Sequence, residues 1–200
     1  MAGIRLIAGL GNPGPKYRNT RHNVGADFVE WLASRAGIRL AQENRFKGLV
    51  GRGRLFGTEV FLLIPETYVN LSGESVCALQ RFYKLELSQV LIAYDEVDFE
   101  PGVLRLKEGG GAGGHNGIRS IIQCSGNEQG FLRLRIGVGH PGDKDRMVSY
   151  LTSERMPAAE RNLIESTWQF DEQVWTYLYA GDLQRAMTLL HAPNADAKPE

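Results

Sequence analysis

Cysteine is scarce in this sequence: Cys77 and Cys124 are its only two, and they form no C-x-x-C pair. Their number and separation argue against a zinc-binding module and against a fold held together by disulfides. Both lie in apolar stretches with helical spacing, so we expect buried thiols in a reducing compartment.

Long apolar runs are also lacking. No stretch approaches the roughly 18 consecutive apolar residues that a membrane span requires, and no basic start is followed by an apolar run of signal-peptide length. We therefore expect a soluble, cytoplasmic protein with no membrane partner.

Net charge is absent as well, because 23 basic residues balance 23 acidic ones. The distribution is uneven: residues 1–60 carry ten Lys or Arg against four Asp or Glu, and residues 101–150 carry seven against four. If these two blocks meet in space, the protein has a basic face. Ordinary solvated surface is the simpler interpretation of charge alone.

The sequence is long enough for one domain with a real core, since 42% of its 200 residues are hydrophobic. Apolar runs typical of strands alternate with segments of helical spacing, and the last fifty residues have a helical pattern. This order predicts a single α/β domain over residues 1–191, with a mixed, twisted β-sheet flanked by helices and a helical C-terminal region. Residues 192–200 are predicted to be a polar, flexible tail.

Glycines at positions 9, 11 and 14 match the G-x-G-x-x-G spacing of a dinucleotide-binding loop directly after the first predicted strand. Such a loop requires the third glycine to lie in a helix whose first amides face the pyrophosphate. Here Pro13 and Pro15 remove two of those amides, and Pro15 disfavours a helical conformation at Gly14. A nucleotide-dependent oxidoreductase is therefore disfavoured, and no cofactor is predicted.

The same segment supports a different interpretation. The run "GLGNPGPKYRNTRHNVG" resembles the amino-terminal signature of bacterial peptidyl-tRNA hydrolases. The resemblance continues in order through "PETYVNLSG", "YDEVDFEPG", "GGGAGGHNGIRSII" and "RLRIGVGHPG", and covers residues 4 to about 151. It implies a monomeric enzyme that cleaves the ester between a peptide and the 3′-terminal ribose of tRNA. Its partner would be the acceptor end of peptidyl-tRNA.

An ester hydrolase needs a base to activate water and a group to orient that base. His22 is the only residue of the first segment that titrates near neutral pH, and the resemblance makes it the base; a helix-capping role is the alternative. Asp95 ends a predicted strand and, by the resemblance, is the partner of His22. Glu96 and Asp98 are adjacent competitors. No Ser or Cys lies in a nucleophile-elbow context, which favours direct attack by water.

Three asparagines, Asn12, Asn70 and Asn116, lie in turn-rich segments, which by itself explains their presence. The resemblance makes Asn12 and Asn70 contacts for the peptide and the terminal nucleotide, and Asn116 a contact for the reacting carbonyl or its water. An amide donates and accepts, so it can hold a peptide backbone of any sequence. Tyr17 matches a position near the terminal base, with loop packing as the alternative. Tyr68 and His115, in the matched segments, are further candidates for substrate binding.

The glycine-rich stretch of residues 109–117 is interpreted as a mobile lid over the cleft, with a bare anion-binding loop as the alternative. Four cations on the flanking strands alternate so that each pair shares a face: Arg105, Lys107, Arg133 and Arg135. These side chains, Lys107 and Arg135 in particular, are candidate contacts for tRNA phosphates. Ordinary solvated sheet explains any one of them equally well.

Three positions depart from the common pattern of the family, with Val69, Tyr94 and Ala112 in place of Met, His and His. Val69 shortens a wall that we expect to touch the peptide. No metal is predicted, because the histidines lack paired spacing and His22 with Asp95 is one ligand short of a catalytic zinc site. A catalytically silent RNA-binding protein on the same fold is the main alternative function.

Overall fold

Seven strands form one mixed sheet in the computed structural model of the protein, whose description covers residues 2–192. The strands are β1 (Leu6–Gly9), β2 (Ala41–Glu43), β3 (Gly48–Leu55), β4 (Thr58–Pro65), β5 (Val90–Glu96), β6 (Leu104–Glu108) and β7 (Leu132–Gly137). Their spatial order is β2-β3-β4-β1-β5-β7-β6. The prediction of a single α/β domain with a mixed sheet is confirmed.

Seven α-helices accompany the sheet within residues 2–192, and short 3₁₀ turns precede several of them. They are α1 (Val24–Ala36), α2 (Ser72–Phe82), α3 (Asn116–Cys124), α4 (Met147–Thr152), α5 (Ala158–Ser166), α6 (Gln173–Tyr179) and α7 (Leu183–His191). The helix α1 ends at Gly37, which caps it in the left-handed conformation at φ 65°. The predicted helical C-terminal region corresponds to α4–α7.

The centre of the sheet is parallel. β1 pairs in parallel with β4 and β5, and β5 pairs in parallel with β7, while β2, β3 and β6 add antiparallel pairings. Helices cover both faces, so the central strands are continuous apolar runs. Because parallel strands end at the same edge, the loops after β1, β4, β5 and β7 all begin at one carboxyl edge, where α/β sheets bind ligands.

The core is divided by the sheet into two layers. On one face, α1 and the C-terminal helices cover alternate strand residues such as Ile7 and Leu91, with Phe28 and Trp175 among the large buried side chains. On the other face, Ile92 packs with residues of α2 and α3. A side chain of β5 therefore points into one layer or the other according to its parity.

Two glycines allow α1 to cross very close to β1 and β5. A Cβ on Gly9 would lie 2.1 Å from the carbonyl oxygen of Gly25, and a Cβ on Gly25 would lie 2.2 Å from the carbonyl oxygen of Ala93. Both obstacles are backbone atoms that cannot rotate away. Gly9, at the end of β1, therefore serves close packing against α1, whereas Gly14 has a positive φ of 97° with ψ 161° and is not helical. The dinucleotide-loop interpretation is excluded on this geometry.

Some details differ from the sequence-based expectations. β2 was not predicted, because it is three residues long and all three are exposed, so no apolar pattern marks it. Cys77 is buried as expected, whereas Cys124 is only half-buried. The predicted tail lies almost entirely in residues 193–200, outside the described residues. Within residues 2–192, none of the helices has the length and apolar character to cross a membrane.

The close approach of α1 generates a stability prediction. Gly25→Ala should lower the free energy of unfolding by about 1–3 kcal/mol, the usual cost of overpacking, because α1 must move away from β5. The matched control is Gly130→Ala, where a Cβ meets nothing within 4 Å and a change within about 0.5 kcal/mol is expected. Urea denaturation measures both, and equal stabilities for the two variants would contradict the packing argument.

Candidate active site

His22 lies in a 3₁₀ turn, Arg21–Asn23, that leads directly into α1. This turn follows the loop after β1, so the imidazole reaches the carboxyl edge of the sheet. Its Nδ1 lies 2.8 Å from Oδ2 of Asp95. The helix-capping alternative is not supported. The N-cap residue of α1 is Asn23, and the imidazole of His22 bonds Asp95 instead of a backbone amide of the helix.

Asp95 is the next-to-last residue of β5, and the residue is 3% exposed. The two neighbouring acids are engaged elsewhere: Glu96 pairs with Arg135 at 2.9 Å, and Asp98 is exposed with its amide bonded to Glu96. Alternation along β5 places Asp95 and Glu96 on opposite faces. The structure thus selects Asp95 from the three acidic candidates.

His115 is the second partner of Asp95, which the sequence did not indicate. Its Nε2 lies 2.9 Å from Oδ1 of Asp95, and its Nδ1 accepts the amides of Gly117 and Ile118 at 3.1 and 3.3 Å as the N-cap of α3. An imidazole nitrogen that accepts two amides carries no proton, so the proton is on Nε2 and is donated to Asp95. The signal in the sequence is a second histidine in the matched segments, where the pattern predicts substrate binding but not a bond to Asp95.

The electrostatics of this cluster favour a charged carboxylate. Burial would raise the pKa of Asp95, but the two imidazoles that donate to it hold that pKa well below its usual range. Burial likewise opposes protonation of His22, but the Asp95 carboxylate outweighs burial and raises the pKa of His22 above 6.5. Asp95 therefore stays ionised at neutral pH and makes His22 a stronger base.

The same three side chains have the composition of a metal site, and their ligand atoms lie within 4.8 Å of one another. The argument that the site is one ligand short is therefore wrong, because His115 supplies the third group. In this arrangement both imidazoles direct a proton to the carboxylate, and Nδ1 of His115 caps a helix. A metal would have to displace both hydrogen bonds. That the activity needs no metal stays a prediction.

The three predicted asparagines lie on adjacent loops at this edge. Asn12 exchanges two 2.9 Å bonds with the side chain of Asn23, and its Oδ1 accepts the amide of Val69 at 2.9 Å. Asn70 is exposed in the turn that follows β4, and Asn116 is exposed at the first turn of α3. The Oδ1 of Asn116 accepts from Arg119, which leaves its Nδ2 to donate.

Tyr17 and Tyr68 form an edge-to-face pair, with ring centroids 6.3 Å apart. Tyr68 is 56% exposed although it is a large aromatic side chain. The two loops that carry these rings are the ones joined by Asn12. The structure thus brings together the aromatic candidates and two of the asparagines.

A cavity of about 480 Å³ opens beside His22 on the face of β5, β6 and β7. His115, Asn116, Lys107 and Arg135 line it together with His22 and Asp95. The asparagine and tyrosine candidates from the first two loops do not line this cavity.

Arg133 differs from the prediction that it contacts tRNA phosphate. It is 2% exposed, and its guanidinium donates to the carbonyl oxygens of Gly111, at 2.6 Å, and of Gly110. The side chain does share a face with Arg135, as alternation predicts. However, its hydrogen bonds fasten the glycine-rich loop to β7. Arg133 is therefore a structural anchor of that loop.

One wall of the cavity comes from α4, which the sequence analysis did not connect to the site. The wall is formed by Met147, Val148, Leu151 and Thr152. Among the three departures, Tyr94 and Ala112 line the cavity, and Tyr94 meets His115 edge-to-face at 4.9 Å. Val69 is buried next to Gly117 and does not line the cavity, so its contact with the peptide stays a prediction.

Comparison with known proteins points to one family. Residues 6–198 match the family model described as peptidyl-tRNA hydrolase. The peptidyl-tRNA hydrolase of Azotobacter vinelandii is 48% identical over 98% of this chain and 100% of its own length. That of Pseudomonas aeruginosa is 47% identical over the same shares. The crystal structure of the Acinetobacter baumannii enzyme is 44% identical, covers 96% of each chain and superposes with a TM-score of 0.89.

The pairing of His22 with Asp95 generates a titration prediction. In Asp95→Asn, the neutral amide no longer stabilises the imidazolium while burial still opposes it, so the pKa of His22 should fall. NMR titration of the imidazole Cε1–H signals measures this, with His22→Ala to assign the resonance. Asp98→Asn is the matched control and should leave the midpoint unchanged. A midpoint that stays or rises in Asp95→Asn would contradict the assignment.

Proposed function

The chain belongs to the peptidyl-tRNA hydrolase family and hydrolyses the ester of peptidyl-tRNA, and we propose that His22 is the general base of this reaction. The observation that carries the proposal is the 2.8 Å bond between Nδ1 of His22 and the buried carboxylate of Asp95. With the proton held on Nδ1, Nε2 is the basic nitrogen. The imidazole also lines the cavity, so Nε2 can take a proton from a water molecule there.

Asp95 acts in this mechanism by orienting the imidazole and stabilising the imidazolium that forms during attack. The water attacks the ester carbonyl, the proton moves to Nε2 of His22, and the same imidazolium then protonates the leaving ribose oxygen. Asp95 remains ionised throughout, because its pKa is held well below neutral pH. No covalent acyl-enzyme is needed in this scheme.

The developing oxyanion requires a hydrogen-bond donor, and the first turn of α3 is the place to look for one. The amides of Gly117 and Ile118 are already bonded to His115, so they are not available. Asn116 is the next group, since its Oδ1 is held by Arg119 and its Nδ2 remains to donate. We assign Asn116 to the reacting carbonyl or the attacking water.

Asn12 and Asn70 are assigned to the peptide and the terminal nucleotide. The Oδ1 of Asn12 is bonded to Val69, which directs its Nδ2 away from that loop. An amide that meets only backbone atoms of the substrate accepts peptides of any sequence. The Tyr17–Tyr68 pair supplies exposed aromatic surface on which a terminal base can stack.

The phosphate of the acceptor end is assigned to Lys107 and Arg135, which line the cavity. Lys107 is exposed, and within residues 2–192 it makes no ion pair, so its charge is available to a phosphate. Arg135 forms an ion pair with Glu96, which limits the contribution of Arg135 to phosphate binding. Because all of these groups come from one chain, the monomer is the working unit of this proposal. Peptidyl-tRNA arises in translation, so we also propose that the enzyme acts in the cytoplasm.

A catalytically silent RNA-binding protein is not favoured. Such a protein has no need to keep a buried carboxylate shared by two histidines, since an uncompensated buried charge is costly. Here both hydrogen bonds to Asp95 are made. The complete cluster supports hydrolysis over binding alone.

Removal of the base should slow turnover strongly and spare binding. We expect His22→Ala to lower kcat by roughly 10²–10⁴-fold, the usual contribution of a general base. Hydrolysis of an N-acetyl-aminoacyl-tRNA measures kcat, and fluorescence anisotropy with a non-hydrolysable amide-linked analogue measures binding. An affinity that falls in parallel with kcat would assign His22 to binding instead of catalysis.

The phosphate assignment predicts a change in salt dependence. Lys107→Ala should reduce the slope of log affinity against log salt concentration by about one, because one phosphate contact is lost. The matched control is Arg54→Ala, an exposed cation on β3 that does not line the cavity. Its slope should equal that of the wild type. A slope unchanged in Lys107→Ala would place the phosphate elsewhere.

A further inference from the structure

Arg21, the residue before His22, has a buried cationic side chain that the mechanism does not use. It is 5% exposed, and its Nε and one terminal nitrogen donate to the two carboxylate oxygens of Glu160 at 2.8 and 2.9 Å. Glu160 belongs to α5. This bidentate ion pair therefore ties the turn that carries His22 to a helix 139 residues away in the sequence.

The same guanidinium also holds α4. Its Cζ lies 3.8 Å from the ring centroid of Tyr150, and its other terminal nitrogen is 3.3 Å from the carbonyl oxygen of Tyr150. The hydroxyl of Tyr150 donates to the carbonyl oxygen of Val138, directly after β7, at 2.6 Å. Arg21 is thus the centre of a contact that joins the His22 turn, α4 and α5.

α4 depends on this contact for its position. None of its six residues is buried, so little hydrophobic packing fixes the helix. Val148 is 73% exposed, and it lies on the cavity side together with Met147 and Leu151. Tyr150 is the residue of α4 that reaches the Arg21 guanidinium. Leu151 packs in part against the core, and Tyr150 ties α4 to Arg21 and to Val138, so few contacts fix the apolar wall of the cavity.

His22 itself has separate supports. Asp95 bonds its imidazole, and the backbone of its turn continues into α1, which packs closely on β5 through Gly25. The segment before the turn is also fastened, because the amide of Met156 donates to the carbonyl oxygen of Asn19 at 2.8 Å. Loss of the Arg21 contact should therefore displace α4 more than it displaces the base.

We propose that Arg21, held by Glu160, is a positioning residue that sets the distance between the α4 wall and His22, and so determines how large acyl side chains of the substrate bind. The wall is largely apolar and lines the same cavity as His22, so its natural contact is the side chain of the residue esterified to the tRNA. Arg21 touches no reacting atom in this scheme. Its kinetic readout rests on the proposed hydrolysis by His22.

The test compares Arg21→Lys and Glu160→Gln with wild type on two substrates, N-acetyl-phenylalanyl-tRNA and N-acetyl-glycyl-tRNA. Lysine keeps the charge but loses the bidentate fork and the stacking on Tyr150. We expect KM for the phenylalanyl substrate to rise roughly tenfold, as for a lost contact in an apolar pocket. KM for the glycyl substrate, and the pH midpoint of kcat for both, should stay unchanged. Hydrogen exchange of peptides from residues 147–156 should accelerate.

Glu172→Gln is the matched control, since it removes one carboxylate from an exposed ion pair with Arg35. It should behave as wild type in every assay. If the Arg21 variants fold poorly, Tyr150→Leu breaks the same contact from α4 and should give the same substrate-dependent rise in KM.

Three results would overturn the proposal: a fall in kcat that is equal for both substrates, a displaced pH midpoint, or unchanged exchange of α4. The exchange measurement needs no turnover. A wild-type protein that hydrolyses neither substrate would therefore count against the proposed function and leave the link between Arg21 and α4 to be judged by exchange alone.

Discussion

A single buried carboxylate organises the carboxyl edge of this protein. Asp95 is 3% exposed, and an ionised group removed from water is stable only if other groups donate to it. Its two oxygens are bonded by His22, from the loop after β1, and by His115, from the glycine-rich loop. The positions of both loops therefore depend on one charge. Loss of either donor would leave that charge partly uncompensated.

The topology explains how residues so far apart in sequence meet at Asp95. β6 runs antiparallel to β7, so it ends beside Leu132, at the start of β7. Asp95 is paired with Ile136, four residues further along the same strand, which is about 13 Å at the usual strand rise. The glycine-rich loop covers this distance along the sheet to deliver His115. Arg133 supports it on the way by binding the carbonyl oxygens of Gly110 and Gly111.

Much of this arrangement could be predicted from the sequence, and the remainder could not for physical reasons. Apolar periodicity identifies the strands and places Asp95 at a strand end, because period and length are local properties. The burial of Arg133 and its contacts with Gly110 and Gly111 arise from strands and loops meeting in space, which no local pattern records. α4 was missed as a cavity wall for the same reason: its exposed apolar residues have no meaning until the cavity beside them is known.

The capping of α3 fixes how His115 bonds Asp95. Nδ1 of His115 accepts two amides of α3, so the proton of this imidazole lies on Nε2 and is donated to Asp95. His22 bonds Asp95 through Nδ1 instead, which leaves its Nε2 as the basic nitrogen. The negative charge of Asp95 is therefore directed to one imidazole. The glycine-rich loop places a neutral donor, Nε2 of His115, on Oδ1 of Asp95. Oδ2 is then left to stabilise the imidazolium of His22.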